Sequence, residues 1–257
     1  MDEVKLDVLT IAAHPDDAEI TSGGLMIKMV QMGRKVGVLD LARGEMGTYG
    51  DEHDRAAEAD AAAKALGLTW RGNANMPDSA IEYTHANKMT IAQFIRKTQP
   101  DLVVLPHWDQ RHPDHLACSR LGYDACFLAG LQKLQLSGQP HRPRKIIYAS
   151  YYRNPESSFL VDISDQFEQK LRAIAAYESQ FGDPSWVDGL IAKGGDQAVP
   201  IAAMRKDVFS PGIHIYDLMY SRSRALGQLV GVTFAEGYSI KENILIDDPL
   251  AMPVRSI

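Results

Sequence analysis

The chain of 257 residues carries only two cysteines, Cys118 and Cys126. That scarcity excludes a disulfide framework and points to a reducing cytoplasm. Long hydrophobic runs are also missing. The opening MDEVKLDVLTIAAH places acids before a very short apolar stretch, which reads as neither a signal peptide nor a membrane span. Positive charge is not in excess. A formal net charge of -6 disfavours nucleic acid or an anionic membrane as partner. No fixed-period repeat or low-complexity tract occurs. The glycine fingerprint G-x-G-x-x-G is absent after the first apolar run, where TSGG has the wrong spacing, so a dinucleotide-binding turn is not indicated. H-E-x-x-H is absent too, which leaves the zincin metalloproteases unsupported.

What is present is an ordinary globular balance, 45% hydrophobic and 23% charged. A chain of this length can bury a full core as one domain spanning 1–257. Short apolar runs at 6–13, 35–42, 69–73, 101–106, 145–152 and 159–162 read as strands. Helical segments are expected at 18–32, 54–67 (Asp54 as N-cap, Gly67 as stop), 87–98, 116–135, 165–177 and 215–229. Alternation of strand and helix predicts right-handed βαβ units. The expected fold class is therefore α/β, a Rossmann-like open and mostly parallel sheet flanked by helices. Residues 182–221 read as a C-terminal excursion without clear periodicity. Such sheets bind ligands at the carboxyl ends of their strands.

Two polar clusters fall at that edge. AHPDDAEI (12–19) follows the first strand, and HPDH (112–115) follows the fourth. Either aspartate of the first cluster could cap the next helix. Two HPD sequences, each at a strand exit and each before a helix, favour chemistry instead. A catalytic zinc takes three His or Asp/Glu ligands and leaves a position for water. One His and one carboxylate from the first loop, with one His from the second, complete such a set. Zinc lowers the pKa of its water, and a carboxylate off the metal takes the proton. The doubled aspartate thus reads as ligand plus base, though spacing leaves open which is which. The doubled histidine reads as ligand plus a group held over the reacting carbonyl, with Asp114 orienting one histidine. A structural zinc recruiting Cys118 is the rival, in a binding protein without turnover; a small core residue is the plainer reading of Cys118.

These clusters resemble the LmbE-like, or PIG-L, family of zinc-dependent N-acetylglucosamine deacetylases. RGEMGT, RAAEA (55–59), MPDSAI, YESQF (177–181) and GVTFAEGY (231–238) follow in the order of the bacillithiol-type deacetylases, which act on N-acetylglucosaminyl malate. The resemblance implies that His14, Asp17 and His115 bind zinc, with Fe2+ as the other occupant in the cell. It implies Asp16 as general base, and His112 as acid or stabiliser of the tetrahedral intermediate, with Asp114 behind it. Glu45 and Arg55 match positions that contact the sugar-containing substrate, and Asp78 one that receives a ring hydroxyl. The bland alternatives are an Arg55–Glu58 pair and a turn-shaping Asp78. Arg222 and Glu236 are family-like without an assignable contact. Residues 205–221 are longer and more aromatic than the bacillithiol pattern, and His214 there is expected to pack. Mycothiol-type conjugates and chitin oligosaccharides are the alternative substrates. A small-molecule amino sugar, a homo-oligomer and a cytoplasmic location complete what is implied.

Overall fold

The strand Val8–Ala12 (β1) is buried at every position, the signature of a central strand covered on both faces. Its neighbour Val36–Ala42 (β2) is equally buried. In the computed structural model, which describes residues 4–150, 156–192 and 214–251, these two are interior strands of a seven-stranded sheet ordered β3-β2-β1-β4-β5-β7-β6. The others are Trp70–Met76 (β3), Leu102–Pro106 (β4), Lys145–Ala149 (β5), Phe159–Asp162 (β6) and Ala235–Ser239 (β7). The pairs β1–β2, β1–β4, β2–β3 and β4–β5 are parallel. β7 runs antiparallel between β5 and β6, giving the mostly parallel sheet an antiparallel edge.

Helices Asp17–Gln31 (α1), Glu52–Leu66 (α2), His85–Thr98 (α3) and Pro113–Ala129 (α4) follow the first four strands in turn. Phe167–Ala175 (α5), Glu178–Phe181 (α6), Ser185–Ala192 (α7) and Ile215–Val230 (α8) come later. Period-two alternation sorts β1 between two cores. Leu9 and Ile11 meet Ile91 and Ile95 of α3 and Leu121 of α4 in one cluster. Val8 and Ala12 belong to the other, with Met26 and Ile27 of α1 and Leu66 of α2. Among the described residues, no helix is long and apolar enough to cross a membrane.

Several boundaries differ from expectation. The cap of α2 is Asp51, not Asp54: Asp51 Oδ1 accepts from Asp54 N at 3.0 Å, and Asp54 Oδ2 accepts from Asp51 N at 3.1 Å. This is a reciprocal capping box, with Asp54 inside the first turn. HPDH is not a loop. Pro113 opens α4, which ends at Ala129 rather than at 135. Pro113 suits the first helical position, where no N–H is needed. β7 was not foreseen, because AEGYS mixes a glutamate and a glycine into a strand whose ends are buried. Of the expected excursion, residues 182–192 hold α7 and residues 214–221 belong to the start of α8, while 193–213 lie outside the described residues.

Candidate metal and catalytic site

Strand β1 leads through α1 to β2 on one side, while β4 lies on its other side. The connections therefore diverge between β1 and β4, and the loops leaving these strands open a crevice at the sheet's carboxyl edge. His14 sits in the first loop, Asp17 begins α1, and His115 lies in the first turn of α4. Asp17 Oδ2 is 3.2 Å from His14 Nδ1 and 3.1 Å from His115 Nε2. One ligand atom from each of the three lies within 4.8 Å of the others.

This N,N,O set suits zinc, and its electrostatics suit any dication. Burial alone would lower the pKa of His14, yet its hydrogen bonds to the carboxylates of Asp114, Asp17 and Asp78 hold it well above the usual histidine range. Burial likewise pushes Asp17 up, but the charge and hydrogen bond of His115, with those of His14, hold it well below the carboxylate range. A field that draws a proton onto His14 draws a cation equally. His14, His112 and Asp114 form a second cluster of ligand type. Asp114 is also engaged by the backbone, however: its oxygens accept from Ser79 N at 2.8 Å and Ile81 N at 3.2 Å. Cys118 joins neither cluster. Its buried thiol donates to Ile11 O across 3.8 Å, as a core residue does.

Asp16 occupies the N-cap position of α1 but makes no capping hydrogen bond. Its Oδ2 instead accepts from Arg55 Nη2 at 2.9 Å, and Arg55 also donates to Pro15 O. Burial raises the Asp16 pKa to about 7, helped by the Asp17 charge and opposed by Arg55. His112 caps α4 by accepting Asp114 N on Nδ1 at 3.2 Å. Burial lowers its pKa, and the His14 and His115 charges lower it further. A neutral ring accepting on Nδ1 carries its proton on Nε2. The His112 ring centroid is 5.0 Å from that of His14 and 5.1 Å from that of His115. All these groups except Asp114 border one cavity of about 240 Å³.

The pattern of GlcNAc-PI de-N-acetylases, designated PIG-L, matches residues 9–126. The chain is 35% identical over 191 residues to a diacetylchitobiose deacetylase of Thermococcus kodakarensis, covering 70% of this chain and 72% of that protein. The chain belongs to the PIG-L family. A conserved protein of Thermus thermophilus superposes with a TM-score of 0.78 at 33% identity, over 96% of this chain and 99% of the other. An inhibitor-bound N,N'-diacetylchitobiose deacetylase of Pyrococcus horikoshii superposes with a TM-score of 0.71 at 26% identity, over 90% and 82%. The α/β fold and the deacetylase class follow.

Within this PIG-L site Asp114 and Glu45 fall differently from expectation, while Arg55 and Asp78 border the cavity. Asp114 does not back His112 through its carboxylate; Oδ2 lies 3.1 Å from His14 Nε2, because the first turn of α4 aims it at the β3–α3 loop. Glu45 Oε1 accepts from Arg43 Nη2 at 3.1 Å and from Asp78 N at 3.0 Å. Glu45 does not border the cavity, whereas Arg55 and Asp78 do. Arg55 is 3% exposed and packs over the Tyr177 ring at 5.1 Å. Its nearer ion-pair partner is Asp16, not Glu58, which is 3.7 Å away. Asp78 places Oδ1 3.1 Å from His14 Nε2 and accepts Met46 N on Oδ2 at 3.0 Å. Burial pushes its pKa up, but the His14 hydrogen bond and charge outweigh that and bring it to about 2.

Glu236 lies beyond α1, accepting from Gly24 N, Leu25 N and Lys170 Nζ at 2.8, 2.8 and 2.7 Å. It braces the helix rather than the cavity. Arg222 borders the small recess beside it. His214 caps α8 and sets its ring edge-on to Trp186 at 5.0 Å, the expected packing role. Arg111, Gln180 and Phe181 border the catalytic cavity without having been singled out. For Gln180 and Phe181 the signal was YESQF itself, quoted for the resemblance but given no role; Arg111 stands one residue before HPDH.

Proposed function

We propose that the protein is a zinc-dependent amidohydrolase that removes acetate from the 2-acetamido group of a glucosamine conjugate. The observation that carries this reading is the convergence of His14, Asp17 and His115 on a cavity that also holds a spare carboxylate and a spare imidazole. His14, Asp17 and His115 would hold the ion. When bound, zinc or ferrous iron supplies Lewis acidity, acidifying water and polarising the acyl oxygen.

The chain's own residues do the rest. Asp16 takes a proton from water as its oxygen bonds to the acetyl carbon. His112 Nε2–H donates a hydrogen bond to the acyl oxygen as it gains charge. The C–N bond then breaks, the nitrogen receives the proton held by Asp16, and acetate and a free amine leave. Arg55 favours the ionised form of Asp16 and aims its carboxylate.

Two aglycones compete. The order of motifs supports N-acetylglucosaminyl malate, the bacillithiol precursor. The diacetylchitobiose deacetylase of Thermococcus kodakarensis supports a chitin disaccharide. Acetate release from N-acetylglucosaminyl malate, diacetylchitobiose, an inositol-linked N-acetylglucosamine and free N-acetylglucosamine decides between them. A panel without turnover by the metal-loaded protein would overturn the enzymatic reading. A homo-oligomer is part of the proposal, supported by exposed Phe127 on α4 and exposed Leu245 and Leu250 near the chain's end; sedimentation velocity checks it. The cytoplasm is the proposed compartment, which suits two unpaired, buried thiols.

A further inference from the structure

The carboxylate of Asp78 faces two ways. Oδ1 lies 3.1 Å from His14 Nε2 and Oδ2 accepts Met46 N at 3.0 Å. The Asp78 backbone N–H donates to Glu45 Oε1 at 3.0 Å. His14 meets Asp17 through Nδ1, so Nε2 is the nitrogen away from the ligand cluster. A carboxylate accepting from that far N–H fixes the tautomer and the ring plane, and it makes the ligating nitrogen more basic. Asp114 Oδ2 shares His14 Nε2 at 3.1 Å, but its other bonds go to Ser79 N and Ile81 N. Asp114 therefore ties His14 only to the β3–α3 loop. Asp78 also reaches residues 45 and 46, which lie in the loop between β2 and α2.

That loop forms one wall of the cavity through Gly44, Met46, Gly47 and Thr48. It has three glycines between 43 and 51 and an exposed Met46. We propose that Asp78 is a positioning residue that orients His14 for the metal and couples the metal's presence to the order of residues 44–48. The proposal rests on His14 being a metal ligand. It replaces the expectation that Asp78 receives a sugar hydroxyl. Seating the ion holds His14, His14 holds Asp78, and Asp78 holds the cavity wall; by reciprocity, loosening the wall weakens metal binding.

The test uses the full chain as wild type, Asp78→Asn and Glu45→Ala, each stripped of metal and then given zinc alone. Competition with a chromophoric chelator reads affinity, and hydrogen exchange reads the backbone amides of 44–48. Zinc should protect these amides in the wild type. Asp78→Asn should bind zinc about 10- to 100-fold more weakly, lose that protection, and give a shifted visible spectrum with Co2+. Glu45→Ala leaves the carboxylate on His14, so it should keep the affinity yet lose part of the protection. Equal melting temperatures of the metal-free proteins exclude a simple folding defect. Wild-type affinity, spectrum and protection in Asp78→Asn, with KM raised, would overturn the proposal and return Asp78 to the substrate. A wild type that binds no zinc would instead sink the metal reading itself.

Discussion

Asp16 has φ 105° and ψ -32°, a left-handed conformation that costs an L-residue about 1–3 kcal/mol. It stands where a helix cap belongs and does not cap. The strain is compensated by Arg55, whose guanidinium turns the carboxylate away from the helix. Asp16→Asn keeps size and backbone tolerance but cannot take a proton. It should retain metal, measured by metal analysis after gel filtration, and lose about 10²- to 10⁴-fold in kcat. Hydrolysis at the wild-type rate would refute the base assignment. The pKa gives a second prediction. Asp16 works only when ionised, and burial raises its pKa to about 7, so kcat/KM should fall as pH drops through the acid limb. A bound dication moves that limb down. Arg55→Met removes a charge that favours the carboxylate, so the limb should move to higher pH. An unmoved limb would refute Arg55 as the charge that tunes Asp16. The ligand types were legible in HPDD and HPDH because metal chemistry restricts them. The contacts of Asp78 with His14 and Met46 were not, because these partners are separated from it by dozens of residues.

At the scale of elements, the TSGG stretch shows why a glycine pair need not bind phosphate. Gly23 and Gly24 lie inside α1. A Cβ on Gly24 would come within 2.6 Å of Ile163 Cγ2, and one on Gly23 within 2.9 Å of Lys170 Cγ. These glycines let α1 pack closely on the segment after β6 and on α5. Glu236 then accepts Gly24 N and Leu25 N. Gly24→Ala should therefore destabilise by about 1–3 kcal/mol through overpacking, even though alanine is the better helix former. Urea denaturation measures this; an unchanged or raised midpoint would refute the close-packing account. Strands β1, β2 and β4 were legible because buried parallel strands are apolar runs. β7 was not, since its Glu236 is satisfied by Lys170 and Tyr238, partners brought by the tertiary fold. α4 starts before its apolar periodicity does, because Pro113 suits the first helical position and opens the helix.

At the scale of the molecule, the site depends on strand order more than on local sequence. His14 and His115 are about a hundred residues apart and meet because β1 and β4 are neighbours. Their loops diverge at the sheet's switch point. Apolar side chains from the strands and helices fill both faces of β1, and the candidate ligands His14, Asp17 and His115 stand at the carboxyl edge of that packing. A core packed in this way predicts a metal that serves catalysis rather than folding. Removing zinc with dipicolinate should abolish acetate release while leaving the far-UV circular dichroism unchanged. Because the ion binds the folded chain, free zinc at a hundredfold over its Kd should add about 2.7 kcal/mol. For a chain of this size that is a rise of about 5–10 °C in melting temperature. The three carboxylates around His14 set the direction: without a cation they favour a proton on His14, which competes with the metal, so acid conditions should release the metal before they unfold the sheet. Loss of secondary structure on chelation would contradict this. It would place the protein among domains folded by their metal, and the spare Asp16 and His112 would lose their explanation.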